Sequence, residues 1–124
     1  MESGTTGSSQ TGRRGWTLFH VVTSPNPPPE DFRSQLAQGI PPRYDLDDME
    51  TYRRAAGVSC FRTADQARNL ARRAPWLGSF IAEVFIPDDS CAIEVARTGS
   101  SRGHHTVWAS PAYFVAHVVS VQPV

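Results

Sequence analysis

The sequence predicts an α+β protein with a mostly antiparallel sheet and its helices concentrated in the N-terminal half. Three observations carry that prediction. β-branched and aromatic runs recur as WTLFHVVT, FIAEVFI, CAIEVA and YFVAHVVSV, each bounded by turn residues. Helical spacing of apolar residues falls before Pro75. After Pro75 strand follows strand with no helix between, a pattern that favours hairpin pairing over parallel crossovers.

Each element has its own local reason. Met1 to Gly15 is rich in Gly, Ser and Thr and nearly free of apolar residues, so 1–15 is expected to be a disordered tail. Residues 16–124 are expected to form a single α+β domain. Trp16 to Thr23 reads as a strand, apolar on both faces and therefore central. SPNPPP breaks it, and Asn26 with Pro27 in the first turn is expected to open a helix over EDFRSQLAQ, stopped by Gly39. IPPR is an extended linker. Asp45 is expected to cap a second helix, LDDMETYRRAA, on which Leu46, Met49, Tyr52 and Ala56 follow helical spacing before Gly57.

Val58 to Arg62 is a short strand. Thr63 with Gln66 three residues later is a capping box, opening the helix ADQARNLARRA, which Pro75 ends. Ala64, Ala67, Leu70, Ala71 and Ala74 form its inward face. Phe80 to Ile86, Cys91 to Ala96, His104 to Trp108 and Tyr113 to Val121 complete the set as strands. The expected order is β-α-α-β-α-β-β-β-β, without internal repeats.

Composition narrows the function classes. Twelve acidic and twelve basic residues in 124 cancel, which argues against nucleic-acid binding through bulk charge. No apolar run approaches the ~20 residues of a membrane span, and no secretory charged and apolar regions open the chain. The expectation is a cytoplasmic protein without a membrane partner. All twelve bases are Arg. That fits a GC-rich, bacterial coding bias, or selection for bidentate anion contacts. Without Lys, Schiff-base chemistry has no nucleophile. Cys60 and Cys91 form no C-x-x-C pair and are expected to be free thiols.

The candidate chemistry rests on histidines, since H-E-x-x-H, the Ser elbow, the P-loop and G-x-G-x-x-G are all missing from the sequence. His20 lies mid-strand among apolar neighbours and is either a hydrogen-bonded core residue or a cleft residue. His104 and His105 point to opposite faces of one strand, so an ideal strand cannot offer both to one metal. No metal site is expected. The loop from Arg97 to Gly103, with Arg97, Arg102, two Gly and three hydroxyl residues, is either a solvated hairpin loop or a cradle for an anion. Ser59 stands just before the capped helix, where a hydroxyl can meet a ligand; simple strand alternation explains it equally. His117 is read as structural. Glu83 and Glu94 interrupt apolar strands and are placed on a wet face.

Taken together, LFHVVTS, GVSCFRTADQARNLA and GHHTVWASPAYFVAHVVSV resemble, in order and spacing, the ADP-ribosyltransferase-like fold from about Trp16 to Val121. The resemblance implies a cleft for NAD, used as a substrate. It implies His20, Ser59, His104 and His105 as catalytic residues, and His20, Thr23, Ser59, Arg97 and Arg102 as contacts to the dinucleotide. His20 would hold a ribose hydroxyl and Ser59 would position the nicotinamide ribose. His104 or His105 would orient a macromolecular acceptor or take its proton. An arginine of the 97–102 loop would pair with pyrophosphate. The chain departs from the pattern where an active transferase has Glu: His104, His105 and Thr106 stand there, and GVSCF lacks the usual Tyr. Three readings follow. The chain is a transferase cleaving the nicotinamide–ribose bond, a non-catalytic module of that fold binding a nucleotide or a protein, or an unrelated small α+β protein. The transferase reading requires His20 and His104 or His105 to open into one cleft.

Overall fold

A computed structural model describes residues 14–34, 37, 56–88, 94–98 and 103–124. Within them the chain is α+β, built on one open six-stranded antiparallel sheet with two α-helices. The strands are β1 (Gly15–Val22), β2 (Val58–Phe61), β3 (Phe80–Pro87), β4 (Glu94–Arg97), β5 (His104–Trp108) and β6 (Val118–Pro123). The helices are α1 (Ala64–Arg73) and α2 (Pro111–Ala116), and 3-10 turns cover Pro29–Phe32 and Pro75–Leu77. The spatial order is β4-β5-β2-β1-β3-β6. None of the described helices is long and apolar enough to cross a membrane.

β1 is central, as its two apolar faces predict. Leu18 and Val22 pack in a core with Phe32, Val58, Cys60, Ala82, Val84, Ile86, Val107 and Phe114. Val21 packs on the other side, with Phe61, Ile81 and the α1 residues Ala67 and Ala71. The sheet is thus sandwiched between α1 and a layer made of the 29–32 turn and α2, which also contact each other.

α1 begins as its capping box dictates. Thr63 Oγ1 accepts from the Gln66 amide and Gln66 Oε1 accepts from the Thr63 amide, both at 3.2 Å. Ala67 and Ala71, four apart, are buried, and Ala74 follows at the cap. The turn after Pro75 ends at Gly78, whose φ of 152° suits glycine. A Cβ there would strike the Val22 carbonyl.

Several expectations are corrected. Asn26 does not cap a helix: the first three residues of EDFRSQLAQ lie in a 3-10 turn over Pro29–Phe32, with Pro28 at its N-cap position and no side-chain cap. Pro25, Pro27, Pro28 and Pro29 supply no N–H and hold their predecessors extended, so the helical turn starts late. β1 begins at Gly15, inside the expected tail. The last strand does not start at Tyr113. Ser110 Oγ accepts from the Tyr113 amide at 3.2 Å, Pro111 takes a first-turn position, and the chain makes α2 before β6. A helix thus lies among the C-terminal strands, where none is expected. The expected Cys91–Ala96 strand is described from Glu94 and runs to Arg97. The helix expected after Asp45, Leu36, Cys91 and Arg102 lie outside the described residues.

Candidate functional site

β1 pairs with β3 along its whole length, from Gly15 opposite Pro87 to Val22 opposite Phe80. Its ladder with β2 consists of Phe19 opposite Phe61. Cys60, Ser59 and Val58 would run on opposite His20, Val21 and Val22, yet no ladder continues there. The seam between the β4-β5-β2 half and the β1-β3-β6 half of the sheet is thus short in main-chain pairing, and on one side buried Leu18, Val22, Val58 and Cys60 pack across it.

His20 stands on β1 next to that one pair. Its Nδ1 lies 2.7 Å from the Ser59 carbonyl of β2, and its Nε2 lies 2.7 Å from the Asp31 carbonyl of the 3-10 turn. The ring thus engages a carbonyl that a continuing ladder would have given to a main-chain amide, which leaves that group satisfied where the ladder stops. Phe32 stacks on His20 with ring centroids 5.1 Å apart and an interplanar angle of 28°. Phe114 of α2 stacks on the far face of this arrangement, 5.1 Å from Phe32 at 4°. Phe32 and Phe114 are both fully buried. A ladder of three rings therefore fixes the position of the imidazole from the core side.

Asp31 closes the turn over the ring. Its Oδ2 accepts from the Thr23 amide at 2.9 Å and from Thr23 Oγ1 at 2.8 Å. Bonds to an ionised acceptor are the stronger kind, and these two tie the end of β1 to the turn that carries the Asp31 carbonyl. Thr23, expected as a ligand contact, spends its hydroxyl and amide on Asp31. Asp31 is the residue that sequence reasoning missed. Its signal was an acid placed just past a proline-rich break, eight positions after a threonine.

The remaining candidates separate. His104 lies opposite Phe61 and so on the α1 side of the sheet, away from His20. Its Nδ1 lies 3.0 Å from Thr98 Oγ1 and 3.2 Å from the Thr98 carbonyl, and Phe61 meets it edge-on at 5.4 Å. The Ser59 side chain is exposed on that same α1 side, opposite Thr106, while the Ser59 carbonyl serves His20. Thr98 Oγ1 and Thr106 Oγ1 approach to 2.6 Å, a hydroxyl pair beside His104. His105 shares the His20 side, opposite Cys60, but is only 2% exposed. Its Nδ1 meets the Gly103 carbonyl at 3.0 Å, and Trp16 covers its ring at 5.1 Å. Arg97 pairs with His105 in the β4–β5 register, three strands from β1.

His20 therefore shares no cleft with a second histidine: His104 faces the other side, and His105 is packed under Trp16. His117 caps α2, with Nδ1 2.8 Å from the Tyr113 carbonyl and its ring stacked on Tyr113 at 3.8 Å. It does not share a strand face with Tyr113, because that residue is helical. Glu83 is half-buried and accepts from Ser120 Oγ at 3.2 Å, beside a register shift in the β3–β6 ladder. Cys60 is fully buried, and desolvation pushes its thiol up from 9.0 to about 12, so it is inert as a nucleophile near neutral pH. Among the described residues no cluster of three or more His, Cys, Asp or Glu is placed to hold a metal ion. No family model matches this chain, and no curated protein or solved structure is significantly similar to it.

Proposed function

We propose that this chain is a nucleotide-binding module of the ADP-ribosyltransferase-like kind, built without the transferase chemistry. The observation that carries this reading is the position of His20: a half-buried imidazole beside the one-pair β1–β2 ladder at the centre of the sheet, backed by stacked Phe32 and Phe114. Ligand sites favour seams between packed parts of a fold, with few polar groups aimed inward. An NAD-like ligand is the class that the sequence resemblance suggests for this position. The separation of His104 and Ser59 side chains from His20, and the burial of His105, speaks against a catalytic set. General acid–base work requires the groups within hydrogen-bond reach of one reacting centre.

Titration calorimetry with NAD, run alongside an assay for free nicotinamide, tests the reading. The expected result is saturable heat with the wild-type chain, loss of that heat in His20→Ala and His20→Asn, and no nicotinamide release. Folded variants that bind NAD as the wild type does would remove His20 from the site. Nicotinamide release by the wild type would restore the transferase reading.

A further inference from the structure

We propose that the turn after α1 is a peripheral contact for an anionic membrane surface, with Trp76 and Leu77 entering the headgroup layer and Arg72 and Arg73 engaging lipid phosphates. The fold does not require the exposure found there. Trp76 is 80% exposed and Leu77 41%, both on the Pro75–Leu77 3-10 turn. A tryptophan left in water forfeits one of the largest apolar burials a side chain can offer. Trp16 and Trp108, by contrast, are half-buried.

Local structure fixes the base of this turn and leaves its tip in solvent. Ala71 and Ala74 are buried at the end of α1, while Arg72 and Arg73 are exposed. The Leu77 amide donates to the Ala74 carbonyl at 3.0 Å, and the Gly78 amide to the Pro75 carbonyl at 3.3 Å. Gly78 lies so close to the Val22 carbonyl that a side chain there would strike it, so the turn is seated on the end of β1. Positive charge collects beside the tip. Arg68 is engaged by Asp65 at 2.7 Å and by Gln122 at 3.0 Å, but no described residue bonds to the Arg72 or Arg73 side chain. Cations in a last turn complement the helix dipole. That accounts for the arginines, but not for a tryptophan and a leucine exposed just beyond them.

The size and setting of the patch point to a bilayer. With exposed Pro75, Trp76 and Leu77 offer on the order of 300 Å² of apolar surface. A stable protein interface buries ~800 Å² per partner. Arg72, Arg73 and Ser79, which flank the tip in the chain, are exposed and polar, so the apolar surface does not extend through them. Single-stranded nucleic acid is held on successive aromatic platforms. Trp76 is the one aromatic among the exposed large hydrophobics described. A bilayer requires neither a large patch nor a shaped pocket. An indole settles at the headgroup level, and guanidinium groups meet anionic phosphates bidentately. The contact is a short apolar wedge with basic flanks, and no helix spans the membrane.

The test is co-sedimentation of the full chain with vesicles of phosphatidylcholine alone, or of phosphatidylcholine with phosphatidylserine at about 2:1. The expected result is binding to the anionic vesicles with a blue shift of tryptophan emission, and much weaker binding to phosphatidylcholine. Trp76→Ser should abolish the shift and lower partition at least about tenfold. Arg72→Gln and Arg73→Gln should each lower it roughly fivefold, the worth of one cation at an anionic surface. Arg62→Gln removes an exposed arginine at the other end of α1 and should change partition by less than about twofold, since salt screens a distant charge. Circular dichroism checks that each variant is folded. Equal partition onto both kinds of vesicle, or none onto either, overturns the proposal. So does folded Trp76→Ser that binds as the wild type does, or an Arg62→Gln effect as large as that of Arg72→Gln. A tryptophan response to a single-stranded oligonucleotide but not to vesicles assigns the patch to nucleic acid and overturns it as well.

Discussion

Phe32→Ala removes the middle ring of the His20–Phe32–Phe114 ladder. Phe32 is 0% exposed, so the whole side chain leaves a dry site. A buried phenylalanine removes on the order of 150 Å² from water, which at ~25 cal/mol per Å² is about 4 kcal/mol. Core truncations of this type cost about 3–5 kcal/mol once the cavity is included. The two stacked contacts at 5.1 Å contribute part of that, and a double-mutant cycle with Phe114→Ala should show a coupling of roughly 0.5–1.5 kcal/mol. For a domain whose total stability is about 5–15 kcal/mol, this is a large fraction. Urea unfolding followed by circular dichroism is the assay. The midpoint should fall with an unchanged slope, and Phe32→Leu should recover much of the loss. A loss below about 1 kcal/mol would refute the reasoning, because it would mean that the 29–32 turn does not dock its ring between His20 and α2.

Two further outcomes are expected. Thr63→Ala deletes one arm of the capping box, so it should destabilise by about 1 kcal/mol in the same unfolding assay, with Thr63→Ser close to wild type. For Cys60 the folded state holds the thiol protonated up to about 12 against 9.0 unfolded. The folded state thus binds the proton more tightly, and the stability this contributes is present below pH 9 and lost as pH rises toward 12. The loss is ~1.4 kcal/mol per pH unit within that window. Unfolding free energy measured across the window should fall less steeply in Cys60→Ala; equal slopes would contradict the burial of this thiol.

What was legible in the sequence were features decided within a few residues. The Thr63–Gln66 box needs only positions three apart, so it names the start of α1 without knowledge of the rest. The period of two along a strand places His104 and His105 on opposite faces, and apolar residues on both faces of WTLFHVVT make β1 central. Ser110–Pro111 was equally local, a cap followed by proline. The β-branched run after it predicts a strand from Tyr113, but the Ser110 Oγ bond to the Tyr113 amide fixes a first helical turn there instead. Only the tertiary structure decided which histidine meets what. Whether His20 opposes His104, His105 or neither depends on the order β5-β2-β1 and on a ladder that stops at Phe19–Phe61. Strand order and register are set by side chains packing between segments far apart in the chain. The contact of His20 with Asp31 has the same origin: Phe32, buried against Phe114 of α2, holds the 29–32 turn over the ring.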